Sequence, residues 1–131
     1  MGEWMRRAPR AVVAVVWLIA ALLLAVGTTA HLTDLLRHGP RPYDWAPLWL
    51  NLYWTSLTLL DPLAALLLLG GHRRGLDLAC AIAVSDLAAG AYAVYGPLHS
   101  SLIEQAGLQR LLGFALLVTG AAPFVRRHLS R

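Results

Sequence analysis

Apolar residues dominate four separate stretches of the chain, and polar residues are largely confined to the short segments around them. The stretches cover residues 11–32, 47–69, 76–95 and about 101–125. A helix needs about 20 residues to cross a hydrocarbon core of about 30 Å, and all four stretches reach that length. The pattern predicts an all-α integral membrane protein, in which residues 1–131 form a single up-down bundle of four transmembrane helices.

Capping and turn residues predict where these helices begin and end. The pair Gly70–Gly71 closes the second helix, as glycines at helix C-termini do. Asp44 is a candidate N-cap for the second helix, and Ser101 with Glu104 has the spacing of a capping box that starts the fourth. The loop between the second and third helices is then only residues 70–75, so these two helices are predicted to form a tight antiparallel hairpin.

Composition and charge agree with a membrane location. Hydrophobic residues make up 58% of the chain and charged residues 14%, against about 25% charged residues in soluble domains. All eleven basic residues are arginines, and the three that lie on one side of the predicted membrane are Arg37, Arg41 and Arg110. The other eight lie on the opposite side, so the positive-inside rule predicts a multi-pass cell-membrane protein with both termini cytoplasmic. We interpret the arginines as contacts for membrane lipids rather than for nucleic acid.

The start of the chain also loosely resembles a cleavable signal peptide. An arginine-rich segment and an apolar run precede the residues Thr28, Thr29 and Ala30. The apolar run is long for a signal peptide, and four spans give a consistent charge asymmetry. We therefore expect the first helix to be retained.

Cysteine and histidine usage argues against several classes of chemistry. Cys80 is the only cysteine, which excludes a thiol oxidoreductase that works through its own cysteine pair. It lies in the third apolar stretch, where it is expected to pack as a small apolar side chain. The histidines show no metal-ligand spacing, so we predict neither a metal site nor a cofactor.

Two carboxylates lie where carboxylates are costly. Asp61 is nine residues before Gly70, and Asp86 is ten residues after Leu76. At about 1.5 Å per residue both are near the midplane of the membrane. An Asp at a helix centre costs about 2.5–3.5 kcal/mol on insertion, so both should face the interior of the bundle. Burial and mutual repulsion favour the neutral form, and we expect the pair to hold a proton at neutral pH.

The second helix carries a polar stripe of four residues, Asn51, Thr55, Thr58 and Asp61, with Trp54 in an overlapping row. Pro62 follows directly and frees the carbonyl of Thr58, so a kink is expected there. One interpretation is a structural kink that Thr58 and Asp61 satisfy by themselves. The other, which we favour, is a cavity lined by Asn51, Trp54, Thr58 and Asp61, because a polar stripe of four residues is longer than one kink requires.

Asp86 and two further groups each have a structural alternative to a functional role. Asp86 lies on a helical face of small residues, where it could simply make a hydrogen bond between helices. His31 and Asp34 are three residues apart, so they share a face and could form an acid–base pair or part of a metal site. The simpler interpretation, which we favour for His31 and Asp34, is that both are solvated at the membrane interface. Arg110 lies about one or two turns outward of Asp86, within reach of its long side chain, but we favour an extension of that side chain to the headgroups.

Residues 30–63 resemble part of a known family. They read AHLTDLL, then a proline-rich loop, then APLWLNLYWTSLTLLDPL. This stretch is similar to the EXPERA group, four-helix membrane proteins related to the sigma-2 receptor and the emopamil-binding sterol isomerase. The resemblance implies that Asp34 and Asp61 are acidic pocket residues and that Trp54 is a pocket aromatic. The third helix lacks the Glu and Pro pattern of that group, so we do not extend the resemblance to sterol isomerisation. The whole chain equally resembles small bacterial membrane proteins of unassigned activity.

These observations favour a binding protein for a small apolar or amphiphilic ligand, held in a pocket within the membrane and open toward the outer leaflet. An enzyme is less favoured, because no nucleophile–base pair or metal-ligand set is visible. The alternatives are a small proton-coupled transporter that acts as a homodimer and a structural or assembly subunit. The predicted ligand-binding residues are His31, Asp34, Asn51, Trp54, Thr58, Asp61, Asp86 and Tyr92.

Overall fold

Four long helices and one short one make up the structure, a computed structural model that describes residues 2–131. They are α1 (Gly2–Arg7), α2 (Arg10–His38), α3 (Leu48–Leu69), α4 (Arg73–Tyr95) and α5 (Ala106–Arg126). Helices α2 to α5 are each long and apolar enough to cross a membrane, and no strand occurs among residues 2–131. The predicted all-α bundle of four membrane-spanning helices is confirmed.

The first membrane helix is longer than the predicted residues 11–32. It continues to His38 because residues 33–38 contain no helix breaker, and Gly39 then ends it with a φ of 78°. This left-handed conformation is one that glycine adopts without steric cost. Helix α2 therefore extends beyond its apolar stretch, and His31 and Asp34 lie within a helix rather than at its end.

The predicted caps of the second and fourth helices are wrong. Helix α3 begins after Pro47, not after Asp44, since a proline fits the start of a helix without losing a hydrogen bond. Helix α5 begins only after Gln105, and Ser101 and Glu104 lie in a turn before it. The hydroxyl of Ser100 donates to the carboxylate of Glu104 (2.9 Å). Because this carboxylate is bonded within the turn, it does not cap the helix.

The α3–α4 hairpin forms as predicted and brings two helix backbones very close together. A Cβ placed on Gly75 would overlap the backbone of Leu67 and Leu68, so glycine is required for this approach. Further along α4, Ala79, Ala83 and Ala93 are all buried. Lipid tails are as apolar as leucine, so helices in a membrane associate mainly through close packing and hydrogen bonds. The small residues of α4 allow that packing.

The two terminal segments meet at one end of the bundle, here named the termini end. The indole N–H of Trp4 donates to the carbonyl of Leu69 (2.9 Å). Ser130 exchanges backbone hydrogen bonds with Gly71 and Arg73, each of 2.8 Å. These bonds fasten both segments to the loop between α3 and α4. The other end, named the loop end, carries residues 39–47 and 96–105.

Candidate functional site

A cavity of about 290 Å³ lies between the four long helices. Its buried floor is formed by Leu23, Asp61, Ile82 and Asp86, and its exposed rim by Val26, Arg110 and Gly113. The remaining lining residues are Leu22, Gly27, Leu111, Phe114 and Leu117. Asp61 and Asp86 therefore lie at one cavity, as the short hairpin loop predicted, and the rim lies between α2 and α5.

Asp61 is buried with an unused hydrogen-bond acceptor. Only 3% of the residue is exposed, and its Oδ1 has no hydrogen-bond partner among residues 2–131. The hydroxyl of Thr58, less than one turn earlier, is also buried without a partner. A kink satisfied by Thr58 and Asp61 themselves would use these groups, and α3 continues through Pro62 to Leu69. A buried polar atom left without a hydrogen bond costs about 1–3 kcal/mol, so Asp61 is a natural anchor for a ligand.

Asp86 differs from Asp61 because the protein already holds it. The indole N–H of Trp54 donates to Oδ1 of Asp86 (3.1 Å), and both residues are about 9% exposed. A buried tryptophan normally finds a partner for its N–H, and this bond joins α3 to α4. The cavity thus has one fixed carboxyl and one free carboxyl.

The α2 wall of the cavity is a π-helical segment, Leu22–Thr28. It supplies four lining residues: Leu22, Leu23, Val26 and Gly27. The hydroxyls of Thr28 and Thr29 donate to the carbonyls of Leu23 and Leu24, five residues earlier, at 2.9 and 3.2 Å. π-helical turns are frequent at functional sites, and this one shapes the cavity.

Gly27 of the π-helical segment lies directly against Asp61. A Cβ placed on Gly27 would overlap Oδ2 of Asp61 and would lie 3.1 Å from its Cγ. Only glycine leaves room for the carboxyl in its present position. Sequence reasoning missed this residue, although the succession Gly27, Thr28, Thr29 inside an apolar helix was a signal.

His31 and Asp34 do not line the cavity; they hold Tyr43 of the loop between α2 and α3. The Tyr43 hydroxyl donates to Asp34, and it lies 3.5 Å from Nδ1 of His31. The ring of Tyr43 packs edge-on against Trp54, with centroids 4.7 Å apart. Burial, followed by the hydrogen bond to Asp34, raises the pKa of Tyr43, so the phenol keeps its proton. The ring of Tyr43 thus covers Trp54 on the side that faces the loop end of the bundle.

Asn51 also serves the loop rather than the cavity. Its amide donates to the carbonyls of Tyr43 (2.7 Å) and Ala46 (3.2 Å), and its Oδ1 accepts from the Tyr43 N–H (2.9 Å). Tyr92 is half-exposed and packs on Trp49, with ring centroids 5.2 Å apart. Neither side chain is among the cavity lining.

The eight predicted residues thus separate into an inner and an outer group. The inner group contains Asp61 and Asp86, which line the cavity, Trp54, which is bonded to Asp86, and Thr58, which lies less than one turn before Asp61. The predicted lining by Asn51, Trp54, Thr58 and Asp61 is therefore wrong except for Asp61. The outer group contains His31, Asp34, Asn51 and Tyr92. Arg110, for which the sequence favoured a headgroup contact over a contact with Asp86, lies at the cavity rim.

Comparisons with known proteins do not extend this description. No protein-family model matches the chain, and no curated protein or solved structure matches it. Among residues 2–131, no group of three or more His, Cys, Asp or Glu is placed to hold a metal ion. The chemistry that the described cavity offers is that of two carboxyls, one guanidinium and apolar walls.

Proposed function

We propose that this protein binds a small, largely apolar molecule that carries a cationic amine group. The observation that carries the proposal is the Oδ1 of Asp61, which is buried at the cavity without a hydrogen-bond partner. A ligand N–H would satisfy it, and a charge-assisted hydrogen bond between an amine and a carboxylate is roughly twice as strong as a neutral one. Asp86, held by Trp54, offers a second carboxyl for the same group.

The size and lining of the cavity support a small ligand. Its volume of about 290 Å³ is near the lower end of ligand pockets, which hold about 300–1,000 Å³. Apart from the charged residues and glycines, the lining is leucine, valine, isoleucine and phenylalanine. Such walls suit a hydrocarbon body, with the two carboxyls fixing its polar group.

Binding accounts for the bundle better than transport does. Between the cavity and the termini end, the interior contains fully buried apolar residues, among them Ala64, Leu68, Leu76 and Val118. A proton-coupled transporter acting as a homodimer would need a polar path through this region. The cavity and the unpaired Oδ1 of Asp61 also argue against a purely structural or assembly subunit, because such a subunit requires neither a cavity nor a buried acceptor without a donor.

The charge asymmetry of the chain supports a location in the cell membrane with both termini cytoplasmic. The loop end would then face outward. Its exposed aromatic residues, Trp45, Trp49, Tyr92 and Tyr95, would lie among the outer headgroups as an aromatic belt. The resemblance of residues 30–63 to the EXPERA group agrees with a pocket at Asp61, while Asp34 would act through Tyr43.

The test is a comparison of a long-chain amine with the alcohol of the same chain length. Binding of dodecylamine and dodecanol to the protein in nanodiscs would be measured by native mass spectrometry and calorimetry. We expect the amine to bind at least about 10-fold more tightly, and Asp61→Asn to remove this preference, because an ionic hydrogen bond contributes about 1.5–3 kcal/mol. Asp44→Asn is the matched control, since Asp44 is exposed and does not line the cavity. Equal binding of amine and alcohol to the unaltered protein would contradict the proposal.

A further inference from the structure

Arg110 introduces a positive charge at the rim of a cavity whose floor holds two carboxyls. It is the fifth residue of α5, and it is exposed, whereas Asp61 and Asp86 are buried. These three are the charged residues of the described lining. The cavity is therefore acidic inside and basic at its opening.

No ion pair among residues 2–131 involves the three charged residues of the lining. The described ion pairs are Glu3 with Arg6 and Asp77 with Arg126, and neither involves Arg110. A guanidinium within a membrane span is costly unless it finds an acceptor. Its planar fork of donors fits a phosphate or a carboxylate with two parallel hydrogen bonds.

The opening of the cavity lies on the side of the bundle. Its exposed rim residues are Val26 on α2 and Arg110 and Gly113 on α5. Toward the loop end, Trp54 is covered by the ring of Tyr43, and toward the termini end the interior is apolar and buried. Helices α2 and α5 are membrane spans, so a molecule that passes between them comes from the lipid.

We infer that the ligand is a zwitterionic amphiphile that reaches the cavity sideways from the bilayer, between α2 and α5. Its cationic group binds Asp61 and Asp86, and its anionic group binds Arg110 at the rim. The hydrocarbon chain extends through the opening into the lipid. This inference rests on the proposed binding function and adds the ligand class, the path and a residue that determines specificity.

The first experiment tests Arg110 with two probes that differ by one anionic group, sphingosine and sphingosine 1-phosphate. Affinities are measured in nanodiscs of zwitterionic lipid. We expect the phosphate form to bind about 10-fold more tightly to the unaltered protein, and Arg110→Gln to lose that preference while it still binds sphingosine. Arg37→Gln is the control for general headgroup electrostatics, because Arg37 is exposed on α2 and does not line the cavity.

The outcomes separate the inference from the proposed function. If sphingosine binds but the phosphate adds nothing, or if Arg110→Gln and Arg37→Gln behave alike, the inference is wrong and the binding function stands. If neither probe binds and dodecylamine also fails, both are wrong.

The second experiment tests the sideways path with two matched glycine substitutions on α5. A Cβ on Gly113 or on Gly120 meets no atom within 4 Å among residues 2–131, so at both sites an added side chain begins in open space. Gly113 lines the cavity rim and Gly120 does not. We expect Gly113→Trp to slow sphingosine association by at least 10-fold, and Gly120→Trp to leave it unchanged, with similar thermal stability in both. Unchanged association in Gly113→Trp would overturn the sideways path.

Discussion

Substitution of Gly27 by alanine tests the cavity at the point where α2 contacts the Asp61 side chain of α3. The added methyl group would overlap the carboxyl of Asp61. Gly27 lies in the π-helical segment, in which the hydroxyls of Thr28 and Thr29 bond the carbonyls of Leu23 and Leu24. To accommodate the methyl group, the side chain of Asp61 must rotate or α2 and α3 must move apart.

The expected loss of stability in Gly27→Ala depends on which groups move to accommodate the methyl group. Overpacking a closely packed site costs about 1–3 kcal/mol when neighbours must be displaced. The group that is overlapped is the end of a side chain rather than backbone, so the lower end, about 1 kcal/mol, is expected for stability. Binding should change more, because a carboxyl displaced from the cavity loses its charge-assisted hydrogen bond with the ligand amine. That loss is about 10-fold or more in affinity.

A double-mutant cycle isolates the contact between Gly27 and Asp61. Asp61→Ala removes the carboxyl that the new methyl group would meet, so Gly27→Ala should destabilise that background less than it destabilises the unaltered protein. The coupling free energy should be about 1 kcal/mol, as for residues in direct contact. Unfolding midpoints in detergent and dodecylamine affinities in nanodiscs give the two readouts, with Gly107→Ala as the control, since its Cβ would meet no atom within 4 Å in the described structure.

Two results would refute the reasoning. Gly27→Ala with unaltered stability and amine affinity would mean that Asp61 does not occupy the position that Gly27 leaves open. Equal destabilisation by Gly27→Ala with and without the Asp61 carboxyl would mean that the cost arises in the π-helical segment itself.

Three other predictions concern the supports of the site and the topology. Trp54→Phe keeps an aromatic ring but removes the N–H that donates to Asp86. The free energy of unfolding should therefore fall by about 1–2 kcal/mol and the dodecylamine affinity should change, and no change in either would mean that this hydrogen bond contributes to neither. Asn51→Ala removes three hydrogen bonds to the segment around Tyr43, so proteolysis of that loop should accelerate while dodecylamine affinity changes less than threefold. Fluorescent and enzymatic tags at both termini should report a cytoplasmic location, and tags on opposite sides would contradict four spans.

The bundle could be predicted from the sequence because the bilayer fixes the length of an apolar helix. The four spans follow from that constraint alone. The helix ends could not be placed as well, since they depend on local competition among polar groups. Glu104 illustrates this point, because its spacing from Ser101 fits a capping box, yet it accepts a hydrogen bond from Ser100 in a turn. The end of α2 is set by Gly39, after six residues that carry no stop signal.

The depth of the site residues within the membrane could be predicted from the sequence, but their hydrogen-bond partners could not. Residue counts from the short hairpin loop placed Asp61 and Asp86 at one level, and both line the cavity. The same counts could not show which side chains already have partners. Asn51 belongs to the same helical stripe as Asp61, but the loop between α2 and α3 folds back and uses its amide. The path of a loop depends on tertiary contacts, which a helical period does not encode.

The π-helical segment is a further feature that the sequence pattern could not predict, and it also determines the surroundings of Asp61. A π-helical turn requires an extra residue that an apolar pattern cannot show, and here the hydroxyls of Thr28 and Thr29 add hydrogen bonds to carbonyls of the segment. Its placement beside Asp61 leaves a glycine in contact with a carboxyl whose Oδ1 has no donor among residues 2–131, while the carboxyl of Asp86 on α4 is held by Trp54. A bundle that needed only stability would have supplied Asp61 with a donor or replaced it with an apolar residue, because either change removes an unsatisfied buried group. The cost of retaining Asp61 in this form is understandable if an outside molecule supplies the missing donor.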